Sequence, residues 1–293
     1  MAPNLESSPG VHASGWHEVE CDSLLGLDDV LLSAGPLGAP SPTAERGIVV
    51  EPVGRSLVEP KESLGPTPAA GVAQAAPAQM IDRIVPVAPG TKAERLAELE
   101  RRHAAECPHC TTATAHTRLV FGDGDPDAEL AFVGEAPGET EDRLGRPFVG
   151  RAGEKLDEMI AAMGLRRSEV YVANVLKSRP PGNRTPLAPE VERCGPYLLA
   201  QLAIIRPKAV VTLGGPASKL LLASELGITR LRGILHSVTL GSAGGAPFEV
   251  PVMPTFHPAF LLRNYTPETR RQVWEDLKQV LGVLGREVPT RRG

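Results

Sequence analysis

At 293 residues, with 42% hydrophobic side chains, the chain can bury one substantial core or two small ones. The formal net charge of −4 hides an uneven spread: residues 1–90 hold four basic and eleven acidic side chains, leaving a mildly basic remainder. With no run of 18 apolar residues and no basic-then-apolar leader, a helical membrane protein is excluded and a cytoplasmic protein is the expectation.

Residues 1–90 also hold 12 of the 29 prolines, among many Ala, Gly and Ser. Such a composition buries too little apolar surface to offset chain entropy, so this tail is expected to be disordered and the folded domain to span 91–293. Within the tail, Asp22 to Leu32 (DSLLGLDDVLL) clusters leucines and acids. It reads either as a short amphipathic helix for a protein partner or as a chance cluster in a linker.

From Thr91 the pattern changes. TKAERLAELERRHAAE reads as a helix with Thr91 as N-cap, leading straight into Cys107-Pro-His-Cys110. Apolar runs at Leu130–Val133, Val170–Ala173, Ala209–Leu213 and Val250–Pro254 read as buried strands. Helical spacing falls between and after them, at 154–163, 189–205, 216–223 and 268–284. Strands alternating with helices predict a three-layer α/β/α fold with a central, mainly parallel four-stranded sheet.

Ligands of such sheets bind beyond the carboxyl ends of the strands, so the loops after the four strands carry the functional expectation. The first, Gly134 to Gly153 (GEAPGETEDRLGRPFVGRAG), sets Glu135, Glu139, Glu141 and Asp142 near Phe148. A carboxylate can orient water and stabilise a developing sugar cation, and an aromatic ring can support a base. The second loop opens on Asn174, whose amide can pair with both the O4 acceptor and the N3–H donor of uracil, a pattern that cytosine does not offer. Lys177, Arg179 and Arg184 follow among prolines, a rigid frame for phosphates.

The third loop, LGGPAS, presents backbone N–H groups at Gly215 and Ser218 for a phosphate at a helix start. The fourth begins His257-Pro-Ala and continues FLLRN: a histidine able to donate to a departing anion, then Phe260, Leu261 and Leu262 as a candidate wedge or the start of a buried turn, with Leu262 and Arg263 as the DNA contacts. Taken singly these signals are ambiguous. Glu135 also reads as a surface acid, Asn174 as a turn residue and His257 as a core histidine.

In combination and in this order, GEAPGETED with GRPFVGRAG, VYVANVLK with RPPGNRTP, LGGPAS and HPAFLLRN resemble the family 4 uracil-DNA glycosylases. The resemblance runs from about Leu96 to Leu284. It implies monofunctional hydrolysis of the N-glycosidic bond of deoxyuridine in DNA, leaving an abasic site. A uracil-DNA or DNA-binding protein of the same fold with little turnover is the alternative.

The resemblance also implies roles. Glu135 positions or activates water and His257 bonds to uracil O2. Gly134, Ala136 and Gly138 line the base pocket, Phe148 stacks, Asn174 reads the base edge and Glu141 lies near C5. It implies uracil-containing DNA as partner, a monomer, no metal at the reacting centre, and work in the bacterial cytoplasm at the nucleoid. A [4Fe-4S] cluster is implied too, held by four cysteines.

Here Cys107, Cys110 and Cys194 match three of those cysteines, and Ser178 stands at the fourth position. A serine alkoxide is a harder ligand than thiolate. Three outcomes stay open: a cluster completed by Ser178, a nearby His103 or His109, or an exogenous group; loss of the cluster; or zinc. Cys21 lies in the tail.

Overall fold

The structure, a computed structural model, describes residues 84–241 and 246–290. Of the expected disordered tail, residues 1–83, with the leucine-rich segment and Cys21, lie outside the described residues, whereas 84–90 are described and Val87 is buried in the same core as Leu96 and Leu99. The first helix, α1 (Lys92–Glu106), is started by Thr91, whose hydroxyl accepts the Glu94 N–H while the Glu94 carboxylate accepts the Thr91 N–H. That reciprocal box satisfies two donors left free by helix geometry.

After α1 come β1 (Asp123–Gly124), β2 (Leu130–Gly134), α2 (Glu139–Leu144), α3 (Arg151–Ala162) and β3 (Tyr171–Asn174). Then follow α4 (Ala188–Ile205), β4 (Ala209–Leu213), α5 (Gly215–Leu222), α6 (Ile228–Leu231) and β5 (His236–Leu240). The chain closes with β6 (Phe248–Thr255), α7 (Pro258–Arg263) and α8 (Pro267–Val283).

The sheet order is β1-β3-β2-β4-β6-β5. The four expected strands form its parallel centre, but the sheet has six strands: β1 and β5 add antiparallel edges against β3 and β6. These edges carry weak sequence signals. β1 is two residues long, and β5 (HSVTL) is mostly half-exposed, so neither has the continuous apolar run of a buried strand.

Both sheet faces are covered, which explains the unbroken apolar runs of the central strands. Along β2, Ala131 and Val133 face a core shared with α1, α4 and α5. Leu130 and Phe132 face the other core, with Leu156, Met159 and Ile160 of α3 and Val273, Leu277 and Leu281 of α8.

The pairing register brings the strand ends level. Gly134 lies opposite Asn174, and Leu213 opposite Thr255. All four candidate loops therefore leave one edge of the sheet.

Beneath one of them lies a buried ion pair. Asp276 of α8 accepts from Arg232 Nη2 at 2.7 Å and from the Thr255 hydroxyl at 2.6 Å, tying the end of β6 to α8. The Asp276 side chain is wholly buried, and burial pushes its carboxyl above the ordinary range against the pull of Thr255 and Arg232. Removing one partner of such a pair leaves an uncompensated buried charge, so Arg232→Met should destabilise the fold by about 3–5 kcal/mol. Urea unfolding checks this: the midpoint should fall with an unchanged slope, and an unchanged midpoint contradicts the role given to the pair.

Candidate active site

Gly134 makes the site possible. A Cβ there would lie 2.4 Å from Phe148 Cζ and 2.4 Å from Asn174 Oδ1, so any other residue would push both side chains out. Phe148 itself adopts φ 53° and is 5% exposed. Its backbone sits on Gly153 of α3, where a Cβ would meet Phe148 O at 2.0 Å. The glycines of GEAPG and GRAG are thus the contact surfaces that place the ring.

The acids of the first loop divide their tasks. Glu141 Oε1 accepts the N–H groups of Val149 and Gly150, at 3.0 and 2.9 Å, bracing the turn that carries Phe148 into α3. Asp142 is buried and accepts from the Thr117 and Arg118 N–H groups. Glu135 makes no such brace. It is half-buried, and burial raises its carboxyl above the ordinary value while a hydrogen bond from Thr185 opposes the shift. A carboxylate with a raised pKa is a better proton acceptor than an exposed one.

Asn174 ends β3 at 1% exposure, and its Oδ1 has no hydrogen-bond partner. A buried unpaired amide oxygen costs about 1–3 kcal/mol, and such a group calls for an explanation. Its main-chain carbonyl accepts from Lys177 Nζ at 2.8 Å.

Lys177 is not a DNA contact. Its amine is fully buried, donates also to Gln201 Oε1 and lies 5.5 Å over the Phe121 ring; burial lowers its pKa to about 8. Gln201 in turn donates to Phe121 O and Tyr171 Oη. Sequence reasoning missed Gln201, because a glutamine within a helical apolar run carries no sign that it faces a buried amine.

Ser218 is likewise turned inward. Its backbone N–H donates to Gly214 O at 3.4 Å, and its hydroxyl donates to the same oxygen and pairs with Thr212 Oγ1, so neither group is left for an outer phosphate. Gly215 faces open space at the start of α5. Arg179 bonds Asn183 and Glu139, and Arg184 makes two 2.7 Å bonds to Glu190, so both guanidinium groups already have carboxylate partners on the loop surface. Leu262 is half-buried and Arg263 exposed on α7.

His257 is the N-cap of α7. Its Nδ1 accepts the Ala259 N–H at 3.1 Å, which leaves the ring proton on Nε2 as the free donor. Burial, with repulsion from Arg263 and opposed by Glu141, holds its pKa down to about 4, so the ring is neutral at pH 7. The ring centroid lies 5.6 Å from that of Phe148. Gly214, with φ 88°, packs against its Cβ, where an added Cβ would come within 3.2 Å. A separate depression of about 180 Å³, bounded by Asp125, Asp127, Glu129 and Arg286, lies at the opposite edge of the sheet and shares none of these residues.

Behind the second loop, the donor atoms of His103, Cys107, Cys110 and Cys194 lie within 4.8 Å of one another, all four residues buried. Hydrogen bonds from Cys110 and Cys194 hold the Cys107 thiol far below its ordinary range, whereas Cys110 is pushed up to about 11 by its Cys107 neighbour. A soft, thiol-rich set of four donors with no carboxylate suits an iron–sulfur centre or zinc. Ser178 stands beside this set: its hydroxyl oxygen accepts from the Cys110 thiol at 3.3 Å and lies 3.3 Å from His109 Nε2.

A family model described as the uracil DNA glycosylase superfamily matches residues 121–278, from just before β1 into α8. The fold is that of this class. A type-4 uracil-DNA glycosylase of Thermotoga maritima is 42% identical over 195 residues, which cover 66% of this chain and 97% of the relative. One from Archaeoglobus fulgidus is 41% identical over 193 residues, covering 64% and 94%. A type-5 uracil-DNA glycosylase of Pyrobaculum aerophilum is 33% identical over 173 residues, covering 54% and 71%. The chain belongs to the type-4 group of the uracil-DNA glycosylase superfamily.

The protonation state of His257 can be checked by nitrogen NMR of the imidazole. The account expects an Nε2–H tautomer that stays neutral through pH 6.5, where an ordinary histidine titrates, and protonates near pH 4. A midpoint near 6.5, or a proton on Nδ1, contradicts it.

Proposed function

We propose that this protein is a monofunctional uracil-DNA glycosylase that hydrolyses the N-glycosidic bond of deoxyuridine in DNA, releasing uracil and leaving an abasic site. The observation that carries this reading is the buried, unpaired Oδ1 of Asn174, which flanks the same Gly134 position as the Phe148 ring, itself 5.6 Å from the ring of the neutral His257. Uracil offers an N3–H donor to that oxygen, whereas cytosine has only an acceptor there.

The target nucleotide leaves the stack so that its base lies on Phe148 with its edge at Asn174. As the N1–C1′ bond breaks, electrons pass to the base and charge gathers on O2. The Nε2–H of His257 bonds that oxygen most strongly in the transition state, and being neutral it does so without competing as an acid. Glu135 faces the sugar, where its carboxylate stabilises the oxocarbenium-like carbon and orients water. The water oxygen bonds C1′, its proton passes to Glu135, and the uracil anion takes a proton from solvent.

Gly134, Ala136 and Gly138 line the pocket, and Glu141, fixed by its two backbone donors, stands at the C5 side against a thymine methyl. Leu262 and Arg263 of α7 enter the space left by the flipped nucleotide. Arg179, Arg184 and the amide of Gly215 meet the phosphates, DNA displacing the carboxylate partners of the two arginines.

Cys107, Cys110 and Cys194 would hold a [4Fe-4S] cluster, which when bound would tie the Cys107–Cys110 turn to α4. The protein acts as a monomer on uracil-containing DNA at the bacterial nucleoid. Among the described residues no helix is long and apolar enough to cross a membrane.

Single- and double-stranded oligonucleotides containing one uracil test the reaction. Free uracil and an intact abasic strand are expected, and His257→Ala should slow release by about a hundredfold or more while the fold survives, as loss of one anion-stabilising donor does. Retention of DNA without free uracil would make the protein a binder. Unchanged excision by the variant would remove His257 from the mechanism.

A further inference from the structure

Resting on the reading of Asn174 as the base-reading group and Glu135 as the water-orienting one, we propose that Lys177 is the positioning residue that keeps the two in fixed relation, acting through the backbone of residues 174–177.

Those residues form a strut directly behind the site. The N–H groups of Val175 and Leu176 donate to the carbonyls of Gly134 and Glu135, at 3.0 and 3.1 Å, so the segment carries the pairing of β2 with β3 past the strand ends and into the first loop. The Lys177 amine turns back three residues to the Asn174 carbonyl at 2.8 Å, and the Lys177 carbonyl accepts the Val120 N–H at 2.7 Å. One side chain thus closes a ring through Asn174, Val175 and Leu176. Movement of that ring shifts the Asn174 amide and the Glu135 backbone together.

The amine is itself fixed. Lys177 is wholly buried, Gln201 Oε1 accepts a second of its N–H groups, and the Phe121 ring lies 5.5 Å away. Gln201 is also buried, donating to the Phe121 carbonyl at 3.0 Å and to Tyr171 Oη at 2.9 Å. Gly122 leaves room for this arrangement, since a Cβ there would stand 2.4 Å from Tyr171 Oη.

A side chain kept only for packing has no need of an ammonium. Methionine would fill a similar space without burying a charge, and both acceptors of the Lys177 amine are neutral amide oxygens rather than a compensating carboxylate. What the charge adds is a stronger hold on those oxygens than a neutral donor gives. The amine takes the main-chain carbonyl of Asn174 and leaves the side-chain Oδ1 unpaired, which is the division that a base-reading amide requires.

The full chain is compared with Lys177→Met, which keeps the reach of the side chain and removes the donor, and with Gln201→Asn, which draws the acceptor back from the amine. Excision of uracil from a single-stranded oligonucleotide gives kcat and KM, and amide hydrogen exchange reads the strut independently of activity. Lys177→Met should lower kcat by about ten- to a hundredfold with KM changed by less than about threefold, because misplaced groups weaken the transition state more than the bound substrate. Relative to Val210 and Val211 in β4, the Val175 and Leu176 N–H groups should exchange at least about tenfold faster than in the parent. Gln201→Asn should move both readouts in the same direction by less.

A folded Lys177→Met with parental kcat overturns the proposal, and so does an exchange gain shared equally with β4, which marks a merely structural residue. If Lys177→Met does not fold, Gln201→Asn decides on the same two readouts, and parental values there overturn the proposal. A parent chain that releases no uracil would sink the glycosylase reading alone, and exchange at Val175 and Leu176 would then decide whether Lys177 holds the strut.

Discussion

A carbonyl oxygen buried without a partner is the constraint around which this site is arranged. Asn174 Oδ1 is buried and meets no protein donor, and such a group survives in a native state only if its surroundings hold it there. Those surroundings form a chain of contacts. Lys177 holds the Asn174 carbonyl, Gln201 holds Lys177, and Tyr171 and the Phe121 carbonyl hold Gln201. Gly134, lacking a Cβ, lets Phe148 close against the same amide. The free energy left unspent by Oδ1 is recovered when a donor arrives, so the site favours a base with N–H at that position.

The other half of the site obeys the same logic at the end of β6. Thr255, Asp276 and Arg232 anchor the strand two residues before His257, and Gly214 leaves room for the imidazole. The Ala259 N–H at the start of α7 then selects the tautomer. A neutral donor on Nε2 is suited to a leaving group that gains charge. A histidinium would already be strongly solvated by any carboxylate nearby, with Glu141 the closest in effect.

Much of this was legible in the chain. The central strands, α1 with its Thr91 cap, and the carboxyl-edge clustering of Glu135, Phe148, Asn174 and His257 follow from apolar runs and loop composition. What was hidden depended on tertiary contacts. α2 and α7 are six residues each, bounded by glycine and proline signals that read as loop. Lys177 stands among arginines in a polar loop, and nothing in KSRPP says that its amine turns inward while Arg179 turns outward. The division of labour among the loop acids was equally invisible, because bracing backbone N–H groups and facing a sugar require the same side chain. At the thiol pocket the chain marked a missing cysteine at Ser178, but only the fold shows that His103 converges on the three sulfurs.

The central claim, that Asn174 Oδ1 awaits the N3–H of uracil, is tested most directly by excision rates on two oligonucleotides that differ by one methyl group, deoxyuridine against N3-methyldeoxyuridine. The methyl removes the donor and fills its space while leaving O2, O4 and the glycosidic bond in place. A site built around a hydrogen bond rejects an analogue lacking it far more strongly than a merely apolar pocket, so the methylated base should be released at least about a hundredfold more slowly. Equal rates would mean that Asn174 does not read the base, and the account of the site would fail at its centre.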